Sequence, residues 1–131
     1  LADQQTLEIA GDYADGVVFS CCYFVPKTVE DAQTDAERAF LEAYQAEYGN
    51  LPVSEVAYRA YDGMNILCQA IELAGSTDGD MIREAILSNK FTGIAGEFDF
   101  SDGSGEGIVS GTTYYIDHGK IVTLDSYLAN R

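Results

Sequence analysis

Between two amphipathic stretches the chain reads Gly49-Asn50-Leu51-Pro52, and this break constrains the fold more than any other feature. Upstream of it, Ala36, Phe40, Ala43, Tyr44 and Tyr48 recur at helical steps, which predicts a helix over Asp35 to Tyr48 with one apolar stripe. Gly49 suits the left-handed residue that closes a helix, and Pro52 cannot continue one because it lacks the N–H and clashes with the preceding turn. Downstream, Ser54 is the expected N-cap of a second helix running from about Glu55 to Ala74. Its inward face is expected to carry Val56, Ala57, Ala60, Tyr61, Met64, Leu67, Cys68 and Ile71. Gly75 ends it. Thr77 or Asp78 then caps a shorter helix through Leu87, with Met81, Ile82, Ala85 and Ile86 inward.

The flanks read differently. Ala2 to Ala10 is predicted as the end of a helix stopped by Gly11. Gly16 to Tyr23 is β-branched and aromatic with few polar positions, the composition of a buried strand in an α/β sheet. Pro26 to Thr34 is a polar connection. After the helices the period changes: Gly96 to Phe100 alternates, and Ser101 to Gly107 reads as a turn. Ile108 to Ile116 and Ile121 to Leu124 are predicted as a hairpin about His118-Gly119. With one buried, parallel-type strand, this order makes an α/β portion of a larger doubly wound fold, not a whole one. Leu1, without a Met and already inside a helical pattern, reads as a cut in a longer chain.

The chain has 131 residues and 47% apolar content, enough for one core. Its 7 basic residues against 22 acidic ones give a net charge of −15, which disfavours nucleic acid and anionic membrane surfaces as partners. No apolar run approaches the roughly 18 residues needed to span a bilayer. Cys21 and Cys22 are adjacent and would point to opposite faces of a strand, so with Cys68 they are expected to be buried or half-buried free thiols. There is no C-x-x-C, and the single His118 sits in a turn, which leaves zinc almost no ligands. No metal or cofactor is expected.

Motif by motif, catalysis finds little support. Asp99, Asp102, Ser104 and Glu106 are spaced like oxygen ligands, but Ser104 stands where a calcium loop needs Gly and Ser110 where it needs Glu. A β-turn rich in Gly and Asp is the simpler reading. Gly103 to Gly107 has neither the Lys nor the following helix of a phosphate loop. Acid pairs such as Asp12 with Asp15, or Glu30 with Asp31, are expected by chance in so acidic a chain. Around one turn-bound His no Ser/His/Asp set can be assembled. Tyr58 and Tyr61 open the second helix beside Val56. They serve either as core or as the apolar wall of a cleft at the free N–H groups of the first turn.

Taken together, F-L-E-A-Y-Q-A-E-Y-G-N-L-P-V-S-E-V-A-Y-R-A-Y-D, A-I-E-L-A-G-S-T-D and F-T-G-I-A-G-E-F-D-F resemble the type I periplasmic solute-binding proteins, specifically the branched-chain amino acid (leucine-binding) receptors of ABC transporters. The whole chain resembles the final third of such a receptor. The resemblance implies a two-lobed α/β fold whose C-terminal portion combines helices, a few sheet strands and a terminal antiparallel hairpin. On it, residues of about 1–20 and 108–131 correspond to the C-terminal lobe and about 24–90 to the N-terminal lobe, with hinge crossings near 19–24 and 91–96. The implied function is binding, not catalysis. An amino acid or similar small polar solute is held between the lobes and handed to a transporter permease, in the periplasm or on a surface lipoprotein. The implied ligand-binding residues are Val56, where Tyr or Phe is common in the family, and Tyr58, which partly substitutes for that aromatic. The smaller Val56 reshapes the pocket. The acid that would pair with the α-ammonium belongs just before Leu1. A ligand-sensing domain of a regulator with the same fold, and an unrelated small acidic interaction module or enzyme, stay open as alternatives.

Overall fold

A computed structural model describes residues 4–108 and 111–130. The parts of the predicted first helix and of the predicted hairpin that fall on residues 2–3 and 109–110 lie outside that range. The chain forms two compact units, one of Leu1–Glu55 with Gly111–Arg131 and one of Val56–Ser110.

The first unit is built on a three-stranded antiparallel sheet. Its strands are β1 (Val18–Cys21), β4 (Thr112–Asp117) and β5 (Lys120–Thr123), in the order β1-β4-β5. Around them run α1 (Gln4–Ala10), α2 (Asp35–Tyr48) and the short α5 (Leu124–Ala129). Val18 pairs with Tyr115 and Cys21 with Thr112, while Tyr114 faces Thr123 across the other seam. The expectation of a buried, parallel-type strand at 16–23 is therefore corrected. β1 is an antiparallel edge strand, Val18 is 53% exposed, and only alternate residues are half-buried. An unbroken apolar run does not by itself distinguish a central strand from an edge strand whose outer face lacks a covering layer. The thiols follow suit: Cys21 is half-buried, but Cys22 is exposed.

The β4–β5 hairpin turns at His118-Gly119, as the sequence predicts. Both residues have positive φ, 47° and 76°, the handedness a two-residue type I′ turn demands. Leu124 does not extend β5 as expected. The Thr123 hydroxyl accepts from Ser126 N–H at 3.3 Å and caps α5 there, while Tyr127 stacks on Tyr115 with ring centroids 3.8 Å apart.

α2 begins at a Thr34 cap whose hydroxyl accepts from Glu37 N–H at 3.1 Å. The Glu37 carboxylate reaches back to accept from Gln33 N–H at 2.7 Å, a capping box displaced by one residue. At the other end Gly49 adopts φ 77° and donates to the Gln45 carbonyl at 2.9 Å, which closes the helix where expected. The predicted stripe is only half right. Phe40 and Tyr44 are half-buried, but Ala36, Ala43 and Tyr48 are exposed, and Leu41 and Glu37 hold the buried positions. Instead, Phe40, Tyr44 and Tyr48 form a ladder of ring contacts at four-residue steps along the helix surface.

The second unit packs α3 (Val56–Ala74) against α4 (Gly79–Ser88) and against a hairpin of β2 (Lys90–Gly93) and β3 (Gly96–Asp99). Asp78 is the α4 cap, its carboxylate accepting from Asp80 and Met81 N–H at 3.1 and 3.2 Å. Gly75 closes α3 with φ 61°. The buried row of α3 is Tyr58, Asp62, Ile66 and Ala70, four residues apart. This corrects the predicted inward face. Val56, Ala60, Tyr61, Met64, Leu67 and Cys68 are exposed, as is Met81 on α4. Asp62 stands in that buried row, with its partners on the hairpin. Strand β2, absent from the predicted elements, places Phe91 opposite Phe98, and both are buried. Ile108 bridges back to Phe98 instead of opening the terminal hairpin. Gly107 permits this close return, since a Cβ there would overlap the Phe100 ring.

Candidate functional site

Two places carry concentrated chemistry, one in each unit. In the first unit, a cavity of about 670 Å³ lies between Phe24–Glu37 on one side and Leu7, Tyr114 and the β5–α5 segment on the other. Phe24, Pro26, Ile121 and Val122 give it apolar wall, while Thr123 and Ser126 add hydroxyls. Its charged members are Lys27 and Lys120 against Glu30, Asp31 and Glu37. Among the described residues neither lysine has an ion-pair partner. Glu37 is 5% exposed and anchored by Gln33 N–H; Asp31 accepts from the Thr28 hydroxyl at 2.9 Å. Arg38 stabilises this wall from behind, donating to the Val29 and Glu30 carbonyls at 3.2 and 3.4 Å.

Tyr114 stacks with Phe19 at 5.5 Å and meets Phe24 at 5.4 Å. Burial pushes its hydroxyl above the ordinary tyrosine value. The nearby Cys21 adds to the rise, a hydrogen bond with Thr112 opposes it, and Glu37 adds a little more. A cavity with unpaired ammonium groups, anchored carboxylates and aromatic wall can hold a small molecule bearing both charges and an apolar body. Of its charged members only Glu30 and Asp31 were named from sequence, as a chance acid pair, because the cavity joins segments about ninety residues apart along the chain.

In the second unit stands the pair named from sequence. Val56 begins α3 and is 62% exposed, while Tyr58 is 1% exposed and belongs to the buried row. The two residues therefore differ: Val56 is exposed, and Tyr58 is packed. One turn further, Asp62 is 2% exposed. Its Oδ1 accepts from Ile94 N–H at 2.9 Å and its Oδ2 from Ala95 N–H at 3.2 Å. A Cβ at Gly93 would overlap this carboxylate, so Gly is required there for close approach. Sequence reasoning passed over Asp62 because its partners lie more than thirty residues away; a lone acid on an apolar stripe was the available signal.

The remaining polar clusters are local. Ser101, Ser104 and Glu106 N–H groups bond to Asp99, Asp102 and the Ser104 hydroxyl at 2.8–3.1 Å, so the Gly-rich loop is a series of side-chain-braced turns. A hydrogen bond to Ser101 is the main reason the Asp99 carboxyl lies below its ordinary value. Lys90 joins Glu97 at 2.8 Å and Asp99 at 3.3 Å. His118 has Asp15 and Asp117 beside it, with Asp15 Oδ1 accepting from its backbone N–H at 2.6 Å.

The family profile described as periplasmic binding protein matches residues 1–120, and the chain belongs to that family. The family is one of binding proteins, not enzymes. Among solved structures, the chain is similar to a leucine-binding protein from Thermotoga maritima, with 28% identity and a TM-score of 0.69 over 93% of this chain and 34% of that one. A protein assigned to branched-chain amino acid ABC transport in Rhodospirillum rubrum shares the fold at 20% identity and a TM-score of 0.75, over 95% and 35% of the two chains. An ABC-transporter solute-binding protein from R. palustris in complex with benzoate does so at 21% identity and a TM-score of 0.67, over 91% and 32%. The chain thus spans about a third of the length of these structures, and its α/β architecture is a partial periplasmic-binding-protein fold. No curated protein matches it in sequence. Among the described residues no helix is long and apolar enough to cross a membrane.

Proposed function

We propose that this chain is part of the extracytoplasmic substrate-binding component of an ABC transporter, taking up an amino acid or a similar small polar solute and delivering it to a membrane permease. On this reading it works in the periplasm or as a surface lipoprotein. The observation that carries the proposal is the cavity of the first unit, where Lys27 and Lys120 line the same space as Glu30, Asp31 and Glu37. Ammonium groups suit a solute carboxylate, carboxylates suit a solute ammonium, and Phe24 with Ile121 suits an apolar side chain.

In this proposal 1–20 and 108–131 belong to the C-terminal lobe and 24–90 to the N-terminal lobe, with hinge crossings near 19–24 and 91–96. Val56 and Tyr58 are in this proposal ligand-binding residues of the second unit, with Val56 as the contact residue and Tyr58 as its support. The leucine-binding relative argues for a zwitterion and the benzoate complex for a plain carboxylate.

Isothermal titration of the protein as its gene encodes it, with L-leucine and with benzoate, separates these. Saturable binding of L-leucine that weakens about tenfold or more in Lys120→Ala, as expected when a charged hydrogen bond is lost, fits the proposal. Benzoate binding alone would shift the solute class to carboxylates. Binding of neither, nor of any other amino acid, would refute it.

A further inference from the structure

Asp62 is the most deeply buried charged residue described, yet it does not line the cavity of the first unit and has no place in the solute contacts above. Its partners are the backbone N–H groups of Ile94 and Ala95, the two residues that turn the β2–β3 hairpin. Neither Ile94 nor Ala95 has positive φ, so the loop does not use a primed turn; Gly96 after them does, at 104°, the left-handed residue that follows a non-primed turn in a hairpin. The amides of Ile94 and Ala95 both point to the Asp62 carboxylate, and Gly93 is bare so that the carboxylate can come close.

Asp62 also lies one helical turn beyond Tyr58, in the same buried row of α3. A force that seats Asp62 against the turn therefore also sets the height and rotation of the helix start that carries Val56 and Tyr58. We infer that Asp62 is a positioning residue: by clamping the Gly93–Gly96 turn to α3 it fixes the first turn of that helix, and solute affinity depends on it although it does not contact solute. The inference rests on the proposal that Val56 and Tyr58 belong to the solute site.

The test uses the protein as its gene encodes it, with Asp62→Asn and with Gly93→Ala. Asn keeps one acceptor oxygen and turns an NH₂ group toward the other amide, a small change of shape that spares the fold. Gly93→Ala attacks the same contact from the hairpin side. Three readouts are taken: amide hydrogen exchange at Ile94 and Ala95, the chemical shifts of the Tyr58 ring, and L-leucine affinity by titration. The clamp predicts about tenfold or greater loss of protection at one or both amides, a displaced Tyr58 ring, and L-leucine binding weakened about tenfold, the factor one hydrogen bond to a charged group represents. Both variants should show all three effects. Unchanged protection at Ile94 and Ala95, or an unmoved Tyr58 ring, overturns the inference. So does unchanged L-leucine affinity in both variants when the wild type binds. If the wild type does not bind L-leucine, the solute proposal fails separately, and the clamp is judged by the first two readouts alone: a displaced Tyr58 ring with deprotected amides upholds it, and an unmoved ring overturns it.

Discussion

Two hairpins, one in each unit, reverse the chain in two residues, and they do so by different physics. At His118-Gly119 the turn is closed by its own residues, both in the left-handed region. At Ile94-Ala95 neither residue is left-handed; Gly96 beyond them is, at φ 104°, and Asp62 on a helix far away in sequence accepts from both turn amides. Each turn also receives an aspartate: exposed Asp15 accepts from His118 N–H, and buried Asp62 from Ile94 and Ala95 N–H. The comparison teaches that an interaction's weight depends on whether water can replace it. Solvent can take over from Asp15 but not from Asp62.

Breaking the buried brace should have the largest effect. Asp62→Ala removes two hydrogen bonds to a charged group from half-buried N–H donors, at about 1.5–3 kcal/mol each, so urea unfolding is expected to show a loss of about 3 kcal/mol or more. Next comes Gly93→Ala, which forces a methyl into the carboxylate and should cost about 1–3 kcal/mol. Made together with Asp62→Ala, which vacates that space, the same methyl should cost clearly less; equal costs in the two backgrounds would show that the contact is not shared. In the other hairpin, Gly119→Ala opposes a φ of 76° and should cost about 1 kcal/mol by the same assay.

Asp15→Ala should cost about 0.5–1 kcal/mol, the scale of an exposed hydrogen bond. A loss as large as that of Asp62→Ala would erase the contrast between the two turns. The smallest effect concerns pH. Burial raises Tyr114, so its neutral form is favoured by folding; that contribution is complete below the unfolded value near pH 10 and disappears as pH rises through the folded value. Unfolding midpoints followed from neutral pH into the alkaline range should decline, and less so in Tyr114→Phe.

What was legible in sequence follows the same division. Signals complete within a few residues came through: the Gly49 closure, the Asp78 cap, the Gly75 stop and the His118-Gly119 turn. Signals that depend on a distant partner did not. The buried row of α3 was missed because apolar residues outnumber Asp62 on its other faces, and β2 because its short K-F-T-G run becomes a strand only against β3. α5 needed the Thr123 cap and the Tyr115–Tyr127 stack to be visible at once. At the candidate site, the first turn of α3 was named from Val56 and Tyr58. The cavity was not foreseen, since Lys27 and Glu37 meet Lys120 only through the sheet order β1-β4-β5.

Residue-resolved amide hydrogen exchange of the unmodified protein compares the two turns most directly. Ile94 and Ala95 should exchange as slowly as the core amides of α3, opening only when the Asp62 clamp opens, while His118 exchanges through local fraying at least tenfold faster. Equal, fast exchange at all three amides would contradict the clamp and, with it, the role assigned to Asp62.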